Sequence, residues 1–218
     1  MTSSAPTVFV VDDDASVRRA LDRLFTSVGL RVETFAGAAE LLARAPGGEH
    51  GCIVLDVKMP KTTGLELQQQ LEGAGIVMPV IFLSAHADVP LTVRAMKTGA
   101  LEVFTKPFQA DVLLNAVHRA IAIDEVRRRE RAEYDQLRQR FDTLTARERT
   151  VMAQVVTGLL NKQVAANLGT SEKTVKVHRA RVMAKMAATS LPELVRMADR
   201  LGLSSQTTNT SDPVPKVQ

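Results

Sequence analysis

The chain has 218 residues with no Trp, one Tyr and a single cysteine, Cys52, which excludes an intramolecular disulfide and an aromatic-rich binding surface. No apolar run approaches the roughly 18 residues of a membrane-spanning helix, and the N-terminus lacks a signal pattern, so we expect a soluble, cytoplasmic protein without a membrane partner. Residues 1–124 carry 11 Lys and Arg against 14 Asp and Glu, whereas residues 125–218 carry 17 against 10. An acidic first part and a basic second part indicate two modules, the second suited to nucleic acid.

In the first part, short apolar segments alternate with amphipathic helical segments. The predicted strands are Thr7–Val11, Arg31–Phe35, Cys52–Leu55, Pro79–Leu83 and Leu101–Thr105. The predicted helices lie near Ala15–Val28, Ala38–Arg44, Leu65–Glu72 and Val89–Thr98, with a fifth beginning near Ala110. Five strand–helix units predict an α/β fold with a doubly wound, five-stranded parallel sheet over residues 1–122.

The helical pattern continues from about Asp111 to Phe141 without Gly or Pro, and residues 124–140 are mostly charged or amide-bearing. We predict a long helical linker over residues 123–142. Two interpretations stay open for it: a solvated helix, or a coiled-coil spacer that dimerises the protein. The second would use the few apolar side chains of this stretch, which are Val126, Tyr134 and Leu137.

Residues 143–203 show only helical patterns and predict an all-α domain. Thr145 followed by Glu148 predicts a capping box at its start. Glycines and capping residues divide the segment into helices near 146–157, 161–168, 171–186 and 190–201. The Ser-, Thr- and Pro-rich tail, residues 204–218, is expected to be disordered.

Charged side chains follow the predicted strands of the first part. Asp12 and Asp13 follow the first strand, Asp56 follows the third, and Lys106 follows the fifth, while Ser84 ends the fourth. Because the carboxyl ends of parallel strands share one edge of the sheet, these groups should converge there. Clustered carboxylates suit Mg²⁺, a further carboxylate can accept a phosphoryl group, and a lysine can neutralise phosphate oxygens.

These residues resemble the receiver domain of two-component response regulators, which has a flavodoxin-like sheet. The matching motifs are Val11-Asp12-Asp13, Leu55-Asp56-Val57-Lys58-Met59-Pro60 with Gly64, Ser84-Ala85 and Lys106-Pro107-Phe108. The resemblance, over roughly Thr7 to Ile123, implies that Asp56 is the phosphoacceptor and that Mg²⁺ is bound by Asp12, Asp13, Asp56 and the backbone carbonyl of Lys58. It also implies a switch hydroxyl at Ser84, a phosphate-sensing lysine at Lys106 and a cis peptide bond at Lys106-Pro107.

The sequence departs from that family three residues before the lysine, where an aromatic side chain usually lies. Val103 occupies this position and the aromatic residue is Phe104. Alternation along a strand places Phe104 on the opposite face of the sheet, so an aromatic switch is in doubt. His86, two residues after Ser84, is either a loop residue without a role or an influence on phosphoryl lifetime.

The basic part carries a helix-turn-helix pattern, with a turn at Gly169-Thr170-Ser171 before a recognition helix. It resembles the LuxR-type helix-turn-helix of the NarL/FixJ subfamily through Leu144-Thr145, Arg147-Glu148, Gly158, Asn161-Lys162 and Thr174-Val175-Lys176-Val177-His178. The resemblance implies that DNA is contacted by Asn161, Lys162, Lys173, Thr174, Lys176, Val177 and Ala180. Val175, Val182 and Met186 should face the core. His178 is either a DNA-facing or a packed residue, and the last helix, with Leu194 and Ala198, is a dimer face, core packing or both.

Together these patterns predict a response regulator transcription factor that a sensor histidine kinase phosphorylates. We expect the phosphorylated form to dimerise on a double-stranded operator and to contact RNA polymerase, and we expect no enzyme activity beyond slow autodephosphorylation. Two alternatives stay open. One is a phosphatase of the haloacid-dehalogenase type, with Asp12 as nucleophile and Asp14 as acid, although Ser16 departs from that pattern. The other is a DNA-binding module that ignores phosphate.

Overall fold

A computed structural model describes residues 5–46, 48–85 and 89–203 of the chain. It divides into two compact units, Met1–Arg129 and Glu130–Gln218. The predicted disordered tail, residues 204–218, and His86 lie outside the described residues. None of the helices in the described ranges combines the length and the apolar character that crossing a bilayer demands.

The first unit is built on a parallel sheet whose strand order is β2-β1-β3-β4-β5. The strands are β1 (Thr7–Val11), β2 (Arg31–Phe35), β3 (Gly51–Asp56), β4 (Val80–Ser84) and β5 (Glu102–Thr105). The helices are α1 (Ala15–Ser27), α2 (Ala38–Arg44), α3 (Gly64–Gly73), α4 (Val89–Lys97) and α5 (Ala110–Asp142), and the residues of α5 from Glu130 onward belong to the second unit. The predicted five-stranded, doubly wound fold is confirmed, with element ends shifted by one or two residues.

Alternation along the strands separates two hydrophobic cores, one on each face of the sheet. Phe9, Leu55 and Phe82 point into the core that α2, α3 and α4 cover. Val8, Val54 and Ile81 point into the core under α1 and α5. Because every residue of β1, β3 and β4 is buried, these strands read as apolar runs without a polar face.

The two neighbouring residues near the end of β5 pack on opposite sides of the sheet. Val103 contacts the core beneath α2, α3 and α4, whereas Phe104 contacts the core beneath α1 and α5. The prediction that Phe104 lies on the face opposite to Val103 is confirmed, because successive strand side chains alternate.

A buried carboxylate of α5 holds the beginning of β3. Asp124, 1% exposed, accepts a hydrogen bond from the Gly51 N–H at 2.9 Å and pairs with His50 Nδ1 at 3.0 Å. One turn further along α5, Arg128 donates to the carbonyl oxygens of Gly48 and Glu49. The loop before β3 is therefore fixed to α5 by polar contacts that also satisfy its backbone.

Over its described residues, 130–203, the second unit contains helices and no strand, as predicted. It contains α6 (Ala146–Val155), α7 (Asn161–Asn167), α8 (Glu172–Met186) and α9 (Leu191–Arg200). Its core includes Val175, Val182 and Met186 of α8, which were predicted to face inward. Leu137 and Phe141, in the last turns of α5, are also part of this core.

The three apolar side chains of the predicted coiled-coil seam differ in their surroundings. Val126 and Tyr134 are 48% and 40% exposed, whereas Leu137 is 5% exposed. Leu137 packs into the core of the second unit, so only two seam side chains face solvent within the chain. Two side chains eight residues apart make a short seam for a coiled coil.

The predicted capping box at the start of α6 is present. Thr145 Oγ1 accepts from the Glu148 N–H, and a Glu148 side-chain oxygen accepts from the Thr145 N–H at 2.9 Å. The same carboxylate pairs with Lys185 of α8 at 2.7 Å. This buried carboxylate thus caps one helix and ties it to another.

Candidate functional site

Three side chains predicted to converge do meet at the carboxyl edge of the sheet. Lys106 Nζ lies 2.6 Å from Asp12 Oδ2 and 2.6 Å from Asp56 Oδ1. Asp12 follows β1, Asp56 ends β3 and Lys106 follows β5, so residues separated by up to 94 positions are in contact. The site lies beside the point where strand order reverses, between β1 and β3, which is where open α/β sheets bind ligands.

Backbone groups hold the two buried carboxylates in place. Asp56, which is 7% exposed, accepts at Oδ2 from the Lys58 N–H at 2.7 Å. Asp12, which is 1% exposed, accepts at Oδ1 from the Asp14 N–H at 2.8 Å. Lys58 therefore contacts the site through its N–H, which the sequence did not suggest. The role of its carbonyl as a metal ligand stays a prediction.

Burial and pairing act in opposite directions on the charges of this site. Burial raises the pKa of the Asp56 carboxyl, and the hydrogen bond and charge of Lys106 offset this rise only in part. Burial by itself would lower the pKa of the Lys106 ammonium, but hydrogen bonds to Asp12 and Asp56 outweigh it and raise that pKa. Lys106 is therefore a permanent cation at neutral pH, facing a carboxylate that is more basic than usual.

The donor set suits a hard divalent cation bound by few protein ligands. Among the described residues, no three Asp, Glu, His or Cys side chains are grouped so as to hold a metal ion. Asp12 and Asp56 are nevertheless two buried carboxylates with a cation, the Lys106 ammonium, already between them. Mg²⁺ is usually bound through one or two carboxylates with waters completing its shell, so these oxygens fit it. Asp13, the residue after Asp12, is exposed and is not grouped with these two carboxylates.

Ser84, the Lys106-Pro107 bond and Gly64 were also predicted to lie at this edge of the sheet. Ser84 is buried at the end of β4, and its carbonyl accepts from the Lys106 N–H at 2.7 Å. The Lys106-Pro107 peptide bond is cis, as the resemblance implied. Gly64 begins α3 directly against the backbone of Asp56, where a Cβ would lie 2.5 Å from the Asp56 carbonyl oxygen.

Asp14 has a structural role next to the site. Its side chain caps α1 by accepting from the N–H and the hydroxyl of Ser16 at 2.7 and 2.6 Å. Hydrogen bonds from Ser16 lower the pKa of the Asp14 carboxyl. An exposed carboxylate that caps a helix in this way is a poor proton donor.

The predicted DNA-contacting side chains of α8 share one property, which is exposure to solvent. Those exposed are Lys173, Thr174, Lys176, Val177 and Ala180. Lys162 of α7 is exposed as well, and Asn161 is half-buried. The face of α8 opposite to its core residues is therefore available over two turns of the recognition helix.

One contact of this surface was not expected from the sequence. Arg179 Nη1 donates to Asn161 Oδ1 at 3.2 Å, joining α8 to the first residue of α7. Nearby, His178 is half-buried, and its Nδ1 has no hydrogen-bond partner within the described part of the chain. In α9, Leu194 and Ala198 belong to the core, so core packing is one role of this helix.

Two family models match the chain, one for each unit. The response regulator receiver domain matches residues 8–118, and the luxR family of bacterial regulatory proteins matches residues 142–198. Among relatives, Nodulation protein W of Bradyrhizobium diazoefficiens is 47% identical, over 94% of this chain and 91% of that protein. Transcriptional regulatory protein FixJ of Rhizobium meliloti is 43% identical, over 88% of this chain and 94% of that protein.

Solved structures agree with these sequence relationships. Response regulator StyR is similar with a TM-score of 0.82 and 46% identity, covering 90% of this chain and 100% of that one. Full-length FixJ from B. japonicum has a TM-score of 0.56 and 39% identity, covering 92% and 99%. With both units matched in the same order, the chain belongs to the response regulators that join a receiver domain to a LuxR-type DNA-binding domain and control transcription.

Proposed function

We propose that Asp56 accepts a phosphoryl group from a sensor histidine kinase and that this event controls DNA binding. The observation that carries the proposal is the contact of Lys106 with both Asp56 and Asp12 at the sheet edge. A buried carboxylate that ends a central strand, beside a permanent cation, combines a nucleophile with a partner for the incoming phosphate charge.

The transfer forms one bond and breaks one bond at phosphorus. An oxygen of Asp56 attacks, and the bond to the histidine nitrogen of the kinase, or to the acetate oxygen of acetyl phosphate, breaks with its electron pair. Lys58 holds Asp56 Oδ2 through its N–H, which fixes the carboxylate plane during the attack. Lys106, already 2.6 Å from Oδ1, neutralises charge on the phosphoryl oxygens.

We assign the Mg²⁺ ligands to Asp12, Asp13, Asp56 and the backbone carbonyl of Lys58. When bound, this ion would neutralise phosphate oxygens and balance the clustered carboxylates. Asp12 and Asp56 bring two buried negative charges against the single positive charge of Lys106, and this imbalance supports a further cation, because buried charges need partners. Asp13 follows Asp12 directly and is exposed, and its place in the ligand set rests on the family resemblance.

The phosphorylated aspartate adds nearly two negative charges at the end of β3. In our proposal the Ser84 hydroxyl then donates to a phosphoryl oxygen and draws the end of β4 toward Asp56. Phe104 packs on the other face of the sheet, so α4 and β5 rearrange through packing and without an inward aromatic rotation. This rearrangement leads to dimerisation.

The exposed face of α8 enters the major groove of double-stranded DNA in this proposal. Lys173, Thr174, Lys176, Val177 and Ala180 approach bases or nearby phosphates, while Asn161 and Lys162 contact the backbone. A dimer binds an operator of two half-sites in the cytoplasm, where it also contacts RNA polymerase. The capping role of Asp14 supports a regulator with slow autodephosphorylation over a phosphatase that uses Asp14 as its acid.

The first experiment locates the phosphoryl group. Full-length protein is incubated with radiolabelled acetyl phosphate and Mg²⁺, and the labelled aspartate is identified by borohydride reduction and peptide mass spectrometry. Asp56→Asn should abolish labelling, whereas Asp22→Asn, an exposed position of α1, should leave it unchanged. Label on Asp12 would instead favour the phosphatase alternative.

The second experiment tests the switch. Sedimentation and binding to a DNA duplex are measured with and without beryllofluoride and Mg²⁺, using Asp56→Asn as the unresponsive control. We expect beryllofluoride to increase both the dimer fraction and DNA affinity in the unsubstituted protein alone. DNA affinity that does not respond would support a module that ignores phosphate.

A further inference from the structure

The pair formed by Arg179 and Asn161 spans the two helices of the helix-turn-helix. Arg179 lies in the middle of α8, and Asn161 is the first residue of α7. Arg179 Nη1 lies 3.2 Å from Asn161 Oδ1, and both residues are half-buried. Since Asn161 is one of the residues assigned above to the DNA backbone, its partner bears on how that contact is made.

The chemistry of this pair fixes the orientation of the amide. A guanidinium carries only donors, so the atom of Asn161 that faces Arg179 must be the carbonyl oxygen. The amide nitrogen, with two N–H donors, therefore points away from Arg179. Within the described residues this nitrogen has no hydrogen-bond partner, and Arg179 forms no ion pair with a carboxylate.

The surroundings of the pair favour a phosphate as the missing acceptor. Lys162 follows Asn161 directly, and Lys176 lies one turn before Arg179 on α8. Both lysines are exposed, although Lys176 also lies 3.7 Å from Glu172, so each helix carries an exposed cation close in sequence to its member of the pair. A phosphate oxygen accepts from neutral donors as well as from cations, and such contacts set the register of a protein on DNA.

We propose that Arg179 is a positioning residue: it holds the Asn161 amide with its nitrogen outward, so that this nitrogen donates to a DNA phosphate. Without Arg179 the amide can rotate and present its oxygen, which repels a phosphate. This inference rests on the proposed backbone contact of Asn161 and adds the residue that orients it. Arg179 then contributes to DNA affinity through Asn161.

The test is a double-substitution cycle on the full chain, with affinity measured by fluorescence anisotropy on a fluorescein-labelled DNA duplex of random sequence. We expect Asn161→Ala and Arg179→Met each to weaken binding, by about three- to tenfold, as for one hydrogen bond. The double variant should bind no more weakly than the weaker single variant. Arg179→Gln, whose amide can still donate to Asn161 Oδ1, should retain most of the affinity.

Two further measurements separate orientation from other effects. Asn161→Asp keeps the partner of Arg179 but replaces the donor by a carboxylate, so it should weaken binding while the melting temperature stays at or above that of the unsubstituted protein. The slope of the logarithm of the binding constant against the logarithm of the salt concentration should change little in Arg179→Gln. If Arg179 itself neutralised a phosphate, losing its charge would reduce the magnitude of that slope by about 0.9.

These measurements distinguish the phosphate contact of Asn161 from its orientation by Arg179. If Asn161→Ala binds normally, the backbone contact itself is absent. If Asn161→Ala weakens binding while Arg179→Met does not, the contact exists but Arg179 does not orient it. Additive losses in the double variant, or equal losses in Arg179→Gln and Arg179→Met, would show that Arg179 acts on DNA by its own charge and would overturn the inference.

Discussion

Lys106 and Asp56 lie 50 positions apart in the chain, yet the lysine Nζ is 2.6 Å from the aspartate Oδ1. The same ammonium is equally close to Asp12. One cation therefore compensates two carboxylates that are both buried. Since a buried charge without a partner is costly, the stability of the receiver unit and its capacity for phosphoryl chemistry depend on the same contacts.

Replacing Lys106 should make receiver stability depend more strongly on Mg²⁺. We expect Lys106→Met to lower the free energy of unfolding by about 1–3 kcal/mol in EDTA, because two charge-assisted hydrogen bonds are lost. Added Mg²⁺ should raise the melting temperature of this variant more than that of the unsubstituted protein. Calorimetry in EDTA and in Mg²⁺ measures both effects. Lys97→Met, at an exposed position in the last turn of α4, is the control and should behave like the parent.

Gly64 should not tolerate a side chain, because a Cβ there would lie 2.5 Å from the Asp56 carbonyl oxygen and 2.9 Å from the Phe82 ring. Gly64→Ala is expected to destabilise the receiver unit by about 1–3 kcal/mol, as overpacking does, and to slow labelling by acetyl phosphate. At Gly73, in the same helix, a Cβ would meet no atom within 4 Å. Gly73→Ala should therefore be neutral or stabilising. Equal effects in urea unfolding would contradict this account.

The ion pair between Glu148 and Lys185 should make the second unit sensitive to acid. The hydrogen bond from Lys185, with those from Thr145, lowers the pKa of Glu148 from 4.5 to about 2. A carboxyl with a lowered pKa stabilises the fold above its unfolded pKa, and that contribution disappears as the pH falls from 4.5 toward 2. In thermal unfolding followed by circular dichroism, the melting temperature of Glu148→Gln should fall less over this pH window than that of the unsubstituted protein. The variant should start from a lower melting temperature at pH 7.

The matched control for this pH effect is Glu133, whose contact with Arg200 at 3.3 Å involves two side chains that are about half exposed. Surface pairs of this kind contribute little. Glu133→Gln should therefore unfold like the parent at each pH. If Glu133→Gln changed the pH dependence of the melting temperature as much as Glu148→Gln does, the acid sensitivity would come from general charge and not from the buried pair.

Ala187 ends α8 in the left-handed region, with φ of 55°, a conformation that is unfavourable for a residue with a Cβ. Its N–H and that of Ala188 close the helix on Met183 and Ala184. We expect Ala187→Gly to stabilise the second unit by about 0.5–1 kcal/mol. Ala184→Gly, inside the same helix, should cost about 1 kcal/mol. Urea unfolding, monitored by the circular dichroism signal of the helices, measures whether each substitution raises or lowers the free energy of unfolding.

Convergence of charged residues at the sheet edge was predictable because parallel strands share an edge. Asp12, Asp56 and Lys106 follow apolar strand runs, and the resemblance supplied their roles. The Lys58 N–H bond to Asp56 was not predictable, because any backbone N–H looks alike in a sequence. The pairing of His50 with Asp124 was hidden for another reason: Asp124 opens a charged helical run in which a buried member has no distinguishing neighbour.

The same limit applies to the DNA-binding unit. Exposed positions on α8 followed from helical spacing around Val175 and Val182, whose burial the periodicity predicted. The contact of Arg179 with Asn161 depends on the crossing of α7 and α8, and helical spacing within one element does not determine that crossing. Polar contacts between helices are therefore not predictable from this sequence, whereas those at the shared edge of the parallel strands are.

The contact of Asp124 with the start of β3 helps to fix the register of that strand in the sheet. Gly51 pairs with Thr7, and a Cβ at Gly51 would collide with the Thr7 carbonyl oxygen. Sliding β3 by a single position would bring a side chain into that gap and break the bond to Asp124. It would also turn Asp56 to the opposite side of the sheet. Gly51 and its contact with Asp124 at one end of β3 therefore fix the register that places the Asp56 carboxyl at the other end.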